Sequence, residues 1–265
     1  MKVVGLAEKD GRAGMSTNAE REISRILITG SADGLGLGAA ERALESGHEV
    51  IVDVRNERRR SAVEDLVARG ARVVVGDLAD LDQMRELAEQ ARALGQVDAV
   101  IHNAGTMNGS AILPVNVVAP YVLTVLLPDA RRHVYLSSSM HVGGHARLEG
   151  LDWSGSTTTA TYSDAKLLVT TLMAGLARRR PEVLFNAVDP GWVPTRMGGP
   201  SAPDDLDLGH LTQFWLATSD DAEALTTGGY WHHQRRAKPH EAVADEELQD
   251  RLIEVLGNNT GVTLP

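Results

Sequence analysis

The 265-residue chain contains no cysteine. Disulfide frameworks, Cys-ligated zinc and thiol catalysis are thereby excluded, although a missing thiol says nothing about the redox poise of the compartment. Positive charge is scarce: 26 lysines and arginines face 36 acids, for a net charge of −10 and a pI near 5.4. That balance argues against partners built on a phosphate backbone, so no nucleic acid is expected, and against anionic membrane surfaces. Much of the surplus acid comes late, at Asp204, Asp205, Asp207, Asp220, Asp221, Glu223, Asp245, Glu246 and Glu247, and reads as a solvated face. No apolar run is long enough to cross a membrane. The most apolar stretch, 111–128, is interrupted by Pro114, Asn116 and Pro120 and reads as a buried element. No basic region followed by an apolar core marks a secretory signal, so a cytoplasmic location is expected. Repeats and low-complexity linkers are also missing.

What remains is 43% hydrophobic and 23% charged, the composition of a globular chain that buries a sizeable core in one domain. Residues 1–24 lack sustained periodicity and read as a loosely ordered extension, leaving 25–265 as the domain. Short apolar runs predict strands at Ile26-Leu27-Ile28, Val50-Ile51-Val52, Val73-Val74-Val75, 97–101, Val134-Tyr135-Leu136 and 184–188. Helical stretches at 39–46, 57–69 and 82–94 end at Gly47, Gly70 and Gly95. Continuous apolar strands alternating with helices predict an α/β fold, a single-domain doubly wound parallel sheet with helices on both faces.

The motifs fall on the carboxyl ends of those strands. Thr29-Gly30-Ser31-Ala32-Asp33-Gly34-Leu35-Gly36 joins the first strand to the first helix. Glycines there permit a tight turn, let a ligand approach, and aim helix N-terminal amides at a pyrophosphate. At the end of the second strand, Asp53 is an acid suited to a ribose hydroxyl and Arg55 a guanidinium suited to a 2′-phosphate. Asp77 after the third strand reads as an adenine contact or as a helix N-cap. Ser137-Ser138-Ser139 ends a strand and reads as a turn cap or as hydroxyls that orient a carbonyl. Tyr162 and Lys166 stand four apart, on one face of a helix. A free phenol titrates near 10; a lysine one turn away, with a positively charged oxidised nicotinamide nearby, is expected to lower that value and make Tyr162 a proton exchanger. Lysine is otherwise confined to positions 2, 9 and 238, which makes the pairing informative.

Together these residues resemble the short-chain dehydrogenases/reductases, from about residue 25 to 230. The family's T-G-x-x-x-G-x-G is matched by Thr29, Gly30, Gly34 and Gly36, its D-[VL] by Asp77-Leu78, and its N-N-A-G by His102-Asn103-Ala104-Gly105, with the first Asn replaced. Asn116 corresponds to the family's helix asparagine, Ser138 to the second serine of its strand-end pair, and Tyr162 and Lys166 to Y-x-x-x-K. Asp189-Pro190-Gly191-Trp192-Val193-Pro194-Thr195 resembles the segment that closes over nicotinamide. The resemblance implies a Rossmann-type fold and a catalytic set of Tyr162, Lys166, Ser138 and Asn116. It implies dinucleotide contacts at Gly30, Ala32, Asp33, Gly34, Leu35, Gly36, Arg55, Asp77, Leu78, Asn103, Ala104, Gly105, Lys166, Pro190, Gly191, Val193 and Thr195. Arg55 favours NADP(H); Asp53, and Asp33 where some NADP enzymes carry a basic residue, keep NAD(H) open.

The implied activity is hydride transfer between nicotinamide and a carbonyl or secondary alcohol, with a catalytically silent dinucleotide sensor or scaffold as the alternative. The implied assembly is a homodimer or homotetramer, although the short intervals from Asn103 to Asn116 and from Asn116 to Ser138 trim the helix on which family dimers are built. The interval from Ser138 to Tyr162 is long, as in retinol-dehydrogenase-like members. It contains His141 and His145, which lack a third metal ligand; no metal is expected. A substrate lid is expected at 194–227, and Tyr230-Trp231-His232-His233 is left as a pocket wall or an oligomer seam.

Overall fold

The structure, a computed structural model, describes residues 23–264. All but the last two residues of the expected extension lie outside this range. Eight strands form one sheet: β1 (Arg25–Ile28), β2 (Glu49–Val54), β3 (Arg72–Val75), β4 (Ala99–His102), β5 (Arg132–Leu136), β6 (Leu184–Asp189), β7 (Gly229–His232) and β8 (Arg235–Arg236). Their order is β3-β2-β1-β4-β5-β6-β7-β8. Every neighbouring pair is parallel except β7 with β8. The order reverses between β1 and β4, which opens the crevice where ligands of such sheets bind.

Strand period and burial explain the two helix layers. Along β1, Ile26 and Ile28 enter one core and Leu27 the other; along β5, Val134 and Leu136 part from Tyr135 in the same way. Because successive side chains alternate faces, a strand apolar at every position must be covered twice. The helices α1 (Gly34–Glu45), α2 (Glu64–Ala68) and α6 (Leu206–Thr218) cover one face. The other is covered by α3 (Leu81–Ala93), α4 (Ala119–Leu126), α5 (Tyr162–Arg179) and α7 (Glu246–Thr260). The helix α7 lies along α5. Among the described residues no helix is long and apolar enough to cross a membrane.

Four expectations need correction. Helix α1 begins at Gly34, five residues before the expected start, because its glycines are required by close approach: a side chain on Gly36 would collide with Asn103 and the Gly30 carbonyl, and one on Gly38 with the His210 ring. The expected helix at 57–69 is a 3₁₀ turn (Glu57–Val63) followed by the short α2; Val63 and Leu66 alone are buried there, so there is no continuous apolar stripe to dock a longer helix. Within the expected lid at 194–227, Leu206–Thr218 forms α6, which packs on α1, β4 and β5 and buries Trp215 and Leu216. Tyr230 and Trp231 belong to β7 and are buried, Trp231 donating to Asn186 at 3.0 Å. That motif is sheet interior, and the left-handed His233 and Gln234 turn the chain into β8.

A row of rings crosses the α4 face of the sheet. His102 stacks on Tyr135 with centroids 4.6 Å apart, and His133 on Phe185 at 5.2 Å. His102 Nε2 and His133 Nδ1 are 3.2 Å apart, and Thr124 Oγ1 lies 2.7 Å from the Tyr135 hydroxyl. Both imidazoles are buried, and His102 Nδ1 has no hydrogen-bond partner, whereas His133 also interacts with the Ala130 backbone. Burial drives both pKa values down, His133 to about 3 and His102 well below the usual histidine range, where the neighbouring His133 lowers it further.

Candidate active site

The loop after β1 is shaped by contacts that leave its helix end open. Gly30 has φ +67°, and a side chain there would approach Ala104 Cα to 2.9 Å. Asn103 Nδ2 donates to the carbonyls of Thr29 (2.9 Å) and Gly30 (3.2 Å), and Ala104 N–H donates to Thr29 Oγ1 at 3.0 Å. The Asn103 side chain, expected to touch the dinucleotide, is thus committed to tying the β4 loop onto the β1 loop. Asp53 takes a different part from the ribose contact considered for it. It is buried and accepts from the Gly30 and Ser31 amides, the first at 2.5 Å, while its own N–H donates to Ser31 Oγ. Burial outweighs those bonds and lifts its pKa to about 6.

Asp33 is the N-cap residue of α1, yet its side chain caps nothing. The aspartates opening α3, α6 and α7 each accept first-turn amides. With no acid in its first turn either, α1 presents open N–H groups at the positive end of its dipole, which suits a phosphate. The glycine cradle and this uncapped helix end therefore fit a dinucleotide pyrophosphate.

Further along the sheet edge, Arg55 is largely exposed, and its Nε lies 3.8 Å from Asp77. Asp77 accepts from Ala79 N–H at 3.0 Å and is not a helix cap; that position is Asp80. Leu78, an expected contact, has its side chain in the core. Ala32 packs against the α1 face of the sheet, and the Leu35 carbonyl accepts from Gln213 at 3.1 Å.

The four polar residues expected to act together converge. Asn116 lies in a π-helical turn (Pro114–Val118), a distortion that tends to mark working sites. Its Nδ2 donates to Thr106 O (2.9 Å) and Ile112 O (2.8 Å), while its buried Oδ1 has no partner. A side chain on Gly105 would meet Asn116 Oδ1 at 2.9 Å and Lys166 Nζ at 3.6 Å, so both groups face the same glycine. Helix α5 begins with a reciprocal capping box between Thr161 and Asp164, which fixes Tyr162 at its first position and Lys166 one turn on. Lys166 is buried and donates to Leu136 O at 2.6 Å. Of the three serines, Ser137 turns inward to Thr170 Oγ1 at 2.7 Å, whereas Ser138 interacts with the Tyr162 phenol.

Burial dominates the electrostatics of the chain alone. The Tyr162 phenol is pushed up to about 12, chiefly by burial; the Ser138 hydrogen bond pulls it down and the Asp189 charge pushes it further up. Lys166, 5.4 Å from the centre of the Tyr162 ring, does not lower it. Lys166 is itself driven down to about 7 by burial. Within the chain alone the phenol is firmly protonated, and the lysine is the group poised near neutrality.

The segment after β6 closes over this site. Gly191 has φ +83° and sits against Asp204, which accepts from the Trp192 amide at 2.6 Å. Val193 is buried. The Thr195 methyl lies where a side chain on Gly34 would meet it at 3.0 Å, and Met197 Sδ is 4.0 Å from the Tyr162 hydroxyl.

Sequence reasoning missed Arg196, and it gave His141 no role beside Ser138; His141 is buried. His141 Nδ1 lies 2.7 Å from Ser138 O, and its Nε2 accepts from the His240 amide at 2.9 Å. This fixes the tautomer and braces the Ser138 backbone. The contact with Ser138 spans three residues, whereas the one with His240 spans 99 and leaves no local sequence signal.

A profile of the family described as short chain dehydrogenase matches residues 24–121. Over 257 residues the chain is 34% identical to the short-chain dehydrogenase chry4 of Gibberella zeae, covering 92% of this chain and 99% of that one. A Streptomyces protein named as a daunorubicin C-13 ketoreductase, DnrU, is 30% identical, with 90% and 93% covered. Among solved structures, a blue fluorescent protein from a metagenomic library in complex with NADPH superposes with a TM-score of 0.65 at 22% identity, over 79% of this chain and 95% of that one.

Proposed function

This chain belongs to the short-chain dehydrogenase family, and from that premise we propose that it reduces bulky apolar carbonyl compounds with NADPH, using Tyr162 as the proton donor. It is an oxidoreductase acting on CH–OH or C=O groups with a nicotinamide cofactor. The observation that carries the finer reading is the Tyr162 phenol, held protonated beside Ser138 at the sheet's carboxyl edge.

When bound, the nicotinamide supplies a hydride to the carbonyl carbon. Ser138 and Tyr162 hold the carbonyl oxygen by hydrogen bonds, and Tyr162 gives its proton to that oxygen as alkoxide charge develops. A phenol near 12 is a donor throughout the neutral range, which favours the reductive direction. Lys166, near 7, exchanges protons readily at neutral pH and is the group to restore the phenol. Its Nζ uses one N–H on Leu136 O and keeps others for the nicotinamide ribose. Asn116 Oδ1, which lacks a partner, is an acceptor through which a water can link Lys166 to solvent. Arg55, at the end of β2, supports NADP(H) over NAD(H) as a carrier of positive charge for a 2′-phosphate.

The substrate class follows from what surrounds Tyr162. Four of the eight exposed large hydrophobic residues among those described, Met140, Val142, Trp192 and Met197, sit on the two segments that follow Ser138 and Asp189. An apolar rim beside a polar centre suits a ketone with a sizeable hydrocarbon body. DnrU, whose name assigns it ketone reduction at C-13 of daunorubicin, is in keeping with this reading. In an NADPH-consumption assay over ketones of increasing apolar bulk, kcat/KM is expected to rise by about tenfold or more from small to polycyclic substrates. Tight NADPH binding with no consumption against any carbonyl would instead support the sensor reading.

A further inference from the structure

The segment over the site carries a guanidinium with no part in the scheme above. Arg196 Nη2 lies 2.9 Å from Asp33 Oδ2, both side chains being largely exposed. An ion pair this wet contributes little to folding, so its significance lies in its position. Asp33 forgoes the capping role that Asp80, Asp205 and Asp245 perform on their helices and turns its carboxylate to the lid. The result is a cation held beside the N-cap residue of α1, one residue from the Thr195 that rests on Gly34. The lid around it is braced by its own bonds: Trp192 Nε1 donates to Gly198 O at 2.8 Å, Gly198 N–H to Thr195 Oγ1 at 3.1 Å, and Gly199 N–H to Thr195 O at 2.8 Å. Arg196 thus moves with the lid, while Asp33 stays with the phosphate loop.

We propose that Arg196 is a lid-borne clamp for a phosphate of the dinucleotide, and that Asp33 is the tether that parks it over the phosphate loop. This rests on the dinucleotide-binding reading above. An acid at position 33 repels an approaching phosphate unless its charge is answered, and Arg196 answers it. The guanidinium has five donors in a fixed fork and approaches Asp33 at Nη2, which leaves donors for a phosphate oxygen. Lid closure and cofactor grip then become one event, and a chain with an acid in its glycine loop still accepts a strongly anionic ligand.

Isothermal titration calorimetry with NADPH, NADH and 2′,5′-ADP tests this on the full chain. Arg196→Ala is expected to weaken NADPH binding about tenfold, and Arg196→Lys to restore part of the loss. A loss shared by NADPH and NADH places the clamp on the pyrophosphate. A loss confined to NADPH and 2′,5′-ADP places it on the 2′-phosphate. Asp33→Asn alone is expected to bind as tightly as the parent or tighter. Adding Arg196→Ala to Asp33→Asn is expected to weaken binding again; recovery of parental affinity by the double variant would mean that Arg196 merely neutralises Asp33, and would overturn the clamp. Unchanged affinity in Arg196→Ala, with tight binding by the parent, would overturn it as well. Failure of the parent to bind any of the three ligands would instead sink the dinucleotide reading itself.

Discussion

Replacing Tyr162 by phenylalanine is expected to lower kcat/KM for carbonyl reduction about a thousandfold while dinucleotide affinity stays within about twofold. The size follows from the role. The ring remains at the first position of α5, because the helix start is held by Thr161 and Asp164 and not by the phenol. The hydroxyl touches only Ser138 and Met197 among described side chains, so deleting it loosens no structural bond. What disappears is the one acid beside the carbonyl oxygen whose proton is available throughout the neutral range. Ser138 remains as a hydrogen-bond donor, which accounts for residual turnover. Steady-state kinetics combined with a cofactor titration checks this, and a variant retaining more than about a tenth of the parental rate would remove Tyr162 from the mechanism.

The second large effect concerns stability in acid. His102 and His133 are neutral in the folded chain because burial depresses both, but after unfolding they titrate near 6.5. Their folded values lie below their unfolded ones, so the stability they contribute is present above about pH 6.5 and is lost as the pH falls. For His133, whose folded value is about 3, the cost is roughly 1.4 kcal/mol per pH unit across that window, or about 2 kcal/mol between neutrality and pH 5; His102 acts in the same direction. Asp53 works in the opposite sense. Its folded value, about 6, lies above the unfolded one, and its protonation returns on the order of 1 kcal/mol over the same interval. The histidines outweigh Asp53, so the parent is expected to lose stability as the pH falls from 7 to 5. His133→Phe keeps a ring stacked on Phe185 and removes one buried base. In urea unfolding followed by circular dichroism, the variant should gain about 2 kcal/mol on the parent between pH 7 and pH 5. Parallel stability curves for the two would show that His133 does not govern the acid limb.

The strands that position the site were legible where burial on both faces leaves an unbroken apolar run, as at Ile26-Leu27-Ile28 or Val73-Val74-Val75. The sheet edge was not. In β7 a glycine, two aromatics and a histidine alternate with no aliphatic run, and Trp231 is held by a hydrogen bond to Asn186 forty-five residues earlier. Helix α1 was misplaced because glycine weakens helices in isolation, whereas here contact with Asn103 and His210 requires it. The glycine loop and the Tyr162–Lys166 pair could be located from spacing, whereas Asn116 and the choice of Ser138 among its neighbours came from the family resemblance. Their electrostatics could not be read that way. In the chain alone the depth of burial, visible only in three dimensions, raises the phenol and lowers the lysine. The same limit hid Asp53, whose carboxylate serves the loop amides, and Arg196, whose partner lies across the cleft.

The central claim is that Tyr162 is a buried phenol whose ionisation answers to the dinucleotide. An ultraviolet difference titration of the parent against Tyr162→Phe, with and without oxidised cofactor, measures it directly. The phenol specific to the parent should ionise near 12 in the free chain and shift down by two units or so when the positively charged nicotinamide binds. A phenol that titrates at the same pH in both states, with the cofactor demonstrably bound, would contradict the account.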